Sequence, residues 1–149
     1  MARIRAVIIA VDELVAPDRP FVTADDLAGA ITALARWCRV WLVGAIPLPL
    51  PADVEPRIQR AADLQQVATL PDLSSGERTS VLVVGAHPWG SVRFGNARSW
   101  STALVAVDGP PPQPACLDEA PDFILVDVED LPPLVARIER DEGDFEGVE

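Results

Sequence analysis

The chain has 149 residues, of which 49% are hydrophobic and 23% charged, a composition that suits one globular domain with a full core and argues against disorder. Its net charge of −11 disfavours nucleic acid as a partner, because phosphate binding needs clustered cations, and its 12 cationic side chains are all arginine. Cys38 and Cys116 are too few for a disulfide framework or a zinc set, and no apolar run approaches the ~18 residues of a membrane span.

The first element is the apolar run Ala6-Val7-Ile8-Ile9-Ala10-Val11, which stops at Asp12 and Glu13. Its β-branched residues predict a buried strand over 3–12. Arg3 and Arg5 ahead of it faintly suggest a signal peptide. The run is short, however, and no small-residue cleavage site follows, so the expectation is a cytoplasmic protein. Residues 13–22 contain two prolines and read as a loop. Thr23-Ala24-Asp25-Asp26 then reads as a helix start, since Thr can cap and carboxylates favour the positive end of a helix. Leu27, Ala30, Ile31, Leu34 and Ala35 follow at helical spacing, with an end expected near Trp37.

Val40 to Ile46 reads as the second buried strand. Pro47-Leu48-Pro49-Leu50-Pro51 fits neither a central strand nor a helix interior and reads as a rigid connector. Asp53 to Val67 reads as a helix with Val54, Ile58, Ala61 and Ala62 inward, and 68–79 as a polar loop. Ser80 to Gly85 is the third strand, Ala86 to Gly90 a loop, and 91–98 one or two helical turns. Thr102 to Val107 is the fourth strand, ended by Asp108, Gly109 and three prolines. Phe123 to Val126 is the fifth. Asp130 is expected to cap a last helix with Leu131, Leu134, Val135 and Ile138 inward and Pro132 in its first turn. Residues 141–149 form an acidic, frayed tail. The expectation is a single α/β domain over 1–140, three-layered and doubly wound, with a mainly parallel five-stranded sheet.

Asp12 and Glu13 follow a buried strand, and in doubly wound sheets ligands gather at the carboxyl ends of strands. The apolar strand running into Asp12 resembles the first motif of the haloacid dehalogenase-like (HAD) superfamily, an apolar strand followed by Asp-x-Asp-Gly-Thr-Leu. Val81-Leu82-Val83-Val84-Gly85-Ala86-His87-Pro88-Trp89-Gly90 resembles its fourth motif, and Phe123 to Leu134 its closing strand and helix. The resemblance implies a HAD-like Rossmannoid fold and a magnesium-dependent phosphoryl-transfer ancestry. It also implies that the chemistry is lost. Ala10 stands at the nucleophile position, Gly44 at the hydroxyl position, and Ala86 and Gly90 at the metal-ligand positions. No lysine exists to offset charge, and Glu55 stands near its place. Asp12 alone remains, and one carboxylate cannot strip magnesium of its waters. The loop from Glu13 to Val22 is too short for a cap domain.

The expectation is therefore a pseudoenzyme with no catalytic residues, no metal and no cofactor, kept as a protein-interaction or structural module. A protein partner or a homo-oligomer is expected, with neither nucleic acid nor membrane. Trp89, Phe94, Arg98 and Trp100 are the candidate contact residues, because Trp and Arg are favoured at interface hot spots. The competing role for both tryptophans is to cover the sheet edge. The alternative function is a small-ligand binder or divergent enzyme whose crevice gathers Asp12, Glu13, His87, Trp89 and Arg93, with His87 able to act as a base. Ser91 lies nearby but lacks a Gly-x-Ser-x-Gly elbow. The acidic pair after the first strand also resembles that of receiver domains, although no Asp ends the third strand and no Lys follows the fifth.

Overall fold

The computed structural model describes residues 6–15, 23–36, 38–46, 48–68, 81–98, 100–106 and 117–138. At its centre is β1 (Ala6–Ala10), every residue of which is buried. Parallel neighbours lie on both sides of it: β2 (Arg39–Val43) and β4 (Val81–Gly85). Beyond β2 lies β3 (Ile58–Ala61), and beyond β4 lie β5 (Ser101–Val105) and β6 (Phe123–Leu125). All pairings are parallel, and the order is β3-β2-β1-β4-β5-β6. Among the described residues the sheet thus has six strands, where five are expected from the sequence.

The additional strand is β3, inside the stretch expected to be one helix from Asp53 to Val67. Pro56 interrupts that helix, and the chain instead makes a 3-10 turn at Glu55–Arg57. Ile58 to Ala61 then pair with Val40 to Val43 along the free edge of β2. Gln-Arg-Ala has little intrinsic strand preference, so the available edge overrides local propensity. Helix returns only at α3 (Leu64–Ala68), started by the Asp63 side chain accepting from the Gln66 N–H at 3.0 Å.

Helices cover both faces. Val7 and Ile9 of β1 face the larger core with Leu27, Ile31 and Leu34 of α2 (Ala24–Leu34) and with Leu131, Leu134, Val135 and Ile138 of the last helix, residues 131–138. Ala6 and Ile8 face the smaller core with Val67, Val81, Val83 and Trp100. This is the two-residue alternation of a strand buried on both faces. α2 starts as its sequence dictates: Thr23 Oγ1 accepts from the Asp26 N–H at 3.1 Å, with Asp25 and Asp26 in the first turn. The last helix enters differently from expectation. Asp127, not Asp130, supplies the cap, accepting from the Glu129 N–H at 3.0 Å to hold a 3-10 turn at Val128–Asp130.

The strands are shorter than their apolar runs. β1 ends at Ala10, and Val11–Leu14 forms one helical turn, α1. β2 ends at Val43, and β5 spans Ser101–Val105 rather than 102–107. Between β4 and β5 a π-helical turn at Pro88–Val92 leads into α4 (Arg93–Ala97), where one or two helical turns are expected. Residues 16–22 of the loop expected over 13–22, residues 69–79 of that expected over 68–79, Trp37, Cys116 and the acidic tail lie outside the described residues. Cys38 packs against the larger core, and its Sγ donates to the Leu34 carbonyl at 3.3 Å. No helix among the described residues is long and apolar enough to cross a membrane.

Candidate functional site

The helical turn α1 decides where the two carboxylates go. On a strand, Asp12 and Glu13 would point to opposite faces of the sheet. On a helix, consecutive side chains diverge by about 100°, so each reaches a different neighbour of β1. Asp12 turns toward the loop after β2. Its Oδ2 accepts from the Ala45 N–H at 3.0 Å and its Oδ1 from the Ile46 N–H at 2.9 Å. Gly44 makes this approach feasible. Its φ is +135°, a conformation that side chains other than glycine's rarely adopt, and a Cβ there would overlap the Asp12 carboxylate.

Glu13 turns the other way, into the crevice between β1 and β4. Connections from β1 run to β2 on one side while β4 begins the other half of the sheet, so this is the topological switch point of the fold. Glu13 Oε1 accepts from the Ala86 N–H at 3.0 Å, the His87 N–H at 2.9 Å and the Ser91 hydroxyl at 2.9 Å. Oε2 accepts from the Ser91 N–H at 3.0 Å. A carboxylate has about four lone-pair positions, and this arrangement provides four donors. The space is cut to fit. A Cβ on Gly85 would overlap the Ser91 hydroxyl, and one on Gly90 would stand 2.7 Å from Glu13 Oε2.

The other candidate residues fall into place around this cradle. His87 joins it through its main chain. Ala86 contributes its N–H and is buried. Ser91 is fully buried, so its hydroxyl serves Glu13 and is not presented to a substrate. Arg93 opens α4 with an exposed side chain. Trp89 lies within the π-helical turn, and its side chain lies outside the described residues. Ala10 is the last residue of β1 and is buried. Asp12 and Glu13 therefore do not share one neighbour. They are divided between two loops. Among the described residues, no three His, Cys, Asp or Glu side chains are placed to hold a metal ion.

The candidate contact segment also divides. Trp100 is 1% exposed and sits in the smaller core, its ring 6.0 Å from that of Phe94 and tilted by 53°. Trp100 thus takes the packing role, and the expectation that it meets a partner is corrected. Arg98 lies over the Phe94 ring, its guanidinium carbon 3.9 Å from the centroid, and donates to Gln65 at 3.3 Å. Arg98 and Phe94 are half-buried in this arrangement.

The sequence signals the carboxylates and the glycines but not their partners. Ala45, Ile46, Ala86 and His87 take part through main-chain N–H groups, which carry no side-chain signature. Among the described residues Ser91 is the one side-chain donor, and its signal is a small polar residue one position after Gly90. Comparison with models of known protein families and with curated proteins finds no match for this chain.

Proposed function

We propose that this chain is a non-catalytic α/β module of HAD-like descent, kept as a protein-interaction or structural unit. The observation that carries this reading is the Glu13 cradle. Glu13 stands at the switch point, where a doubly wound sheet offers its ligand site. Its two oxygens already accept four hydrogen bonds from Ala86, His87 and Ser91. Three of these bonds fall on Oε1 and one on Oε2, so most of the carboxylate's accepting capacity is spent on holding the loop after β4. Asp12, more exposed, accepts one N–H on each oxygen, from Ala45 and Ile46. Both acids fasten the loops on either side of β1, and the catalytic positions of the resembled family hold Ala10, Gly44, Ala86 and Gly90.

The test is hydrolysis of p-nitrophenyl phosphate with millimolar magnesium. The expected result is no turnover above the buffer rate, with Asp12→Asn indistinguishable from the parent chain. Magnesium-dependent turnover abolished by Asp12→Asn would overturn the reading.

A further inference from the structure

The loop after β4 has fixing points of its own besides Glu13. The Gly90 N–H donates to the His87 carbonyl at 3.1 Å, and the Arg93 N–H closes the π-helical turn on the carbonyls of Pro88 and Gly90. Pro88 and Val92, at the two ends of that turn, are buried. On this frame the N–H groups of Ala86, His87 and Ser91 converge with the Ser91 hydroxyl on one carboxylate. Main-chain N–H groups gathered in this way form a concave anion site. Ser91 is 0% exposed, so its hydroxyl points into the site and not to bulk water.

We infer that the loop after β4 is a preformed carboxylate-binding nest, and that Glu13 fills it as a tethered ligand which a free acetate ion replaces when the side chain is cut short. The inference rests on the reading of Glu13 as the fastener of this loop, and it names the class of ligand the site takes. Glu13→Ala removes Cγ, Cδ and both oxygens, which are the heavy atoms of acetate. The donors suit a planar carboxylate, three of them meeting one oxygen and one the other. A Cβ on Gly85 or Gly90 would crowd these oxygens, so the backbone closes on the planar group and leaves little space for the further oxygens of a tetrahedral phosphate. The four donors are main-chain N–H groups and a hydroxyl, none of them cationic, and a dianion would add to a net charge of −11. Glu13 is half-buried, so the shortened site opens to solvent. In the parent chain the tether makes the carboxylate an intramolecular ligand, which a dilute free carboxylate does not displace.

The experiment is urea unfolding of the full-length Glu13→Ala chain, followed by circular dichroism, in sodium acetate, sodium chloride, sodium phosphate and acetamide at matched ionic strength. Each result is read against the parent chain in the same solution, which removes the general effect of salts on burial. A site of ~10 mM affinity raises the folded-to-unfolded ratio about twentyfold in ~0.2 M acetate. Phosphate and acetamide, the second having the shape of acetate without its charge, are expected to give no such gain. Glu13→Gln keeps the cradle filled and should respond to acetate no more than the parent chain does. Should Glu13→Ala fail to fold in chloride, the expected result is recovery of the parental spectrum on dialysis into acetate. An acetate response equal in Glu13→Ala and the parent chain, a phosphate gain matching that of acetate, or no recovery in acetate would overturn the inference. None of these results alters phosphate-ester turnover by the parent chain, so the failure of this inference is distinct from the failure of the functional reading.

Discussion

At the scale of single residues, Glu13 and Ser91 act as one unit. Replacing Glu13 by Ala leaves three main-chain N–H groups and a buried hydroxyl without their acceptor. Orphaned donors of this sort cost about 1–3 kcal/mol each, less where water can enter. The two single substitutions, Glu13→Ala and Ser91→Ala, should then be non-additive. A double-mutant cycle by urea unfolding is expected to give a coupling of at least ~0.5 kcal/mol, since each variant removes part of the same interaction. Gly85→Ala tests the fit from the opposite direction. Its methyl would overlap the Ser91 hydroxyl, and forced overpacking costs about 1–3 kcal/mol. The urea midpoint of that variant should fall accordingly. The pair Asp12-Glu13 was conspicuous in the sequence as a break in an apolar run. What it binds was not legible, because most of its partners are backbone amides brought in from 33 to 78 residues away.

At the scale of elements, local signals were reliable where one element's own chemistry decides its form. α2 is the clearest case, with a threonine cap, two acids in its first turn and apolar residues at helical spacing. Thr23→Ala should lower stability by about 1 kcal/mol, the usual cost of losing a side-chain cap, read as a fall in the urea midpoint with an unchanged slope. β3 is the opposite case. Val54, Ile58, Ala61 and Ala62 fit a helical face, yet Ile58 to Ala61 form a strand because β2 has an edge to fill. Nothing local to those residues announces that edge. The helical turn α1 is a similar event on a smaller scale. It follows β1 with no loop between them, and the divergence of Asp12 and Glu13 depends on it.

At the scale of the whole molecule, the acids at the end of β1 tie the two halves of the sheet to its central strand. Asp12 fastens the half built from β2 and β3, and Glu13 fastens the half built from β4, β5 and β6. The alternation of strands and helices made the α/β class legible in the sequence, and the apolar runs of β1 and β4 located its centre. The role of Trp100 was not legible, because an aromatic residue in an irregular stretch suits a contact surface and a core equally, and only the position of α4 over β5 decides for the core. Carboxylates that fasten loops to the central strand should contribute to stability. Groups held ready for a ligand behave in the opposite manner, since their removal is often neutral or stabilising. The most direct measurement is therefore urea unfolding of Glu13→Ala against the parent chain at matched concentration. The account predicts a loss of about 2–4 kcal/mol. A variant as stable as the parent, or more stable, would contradict it and return Glu13 to the role of a ligand-binding acid.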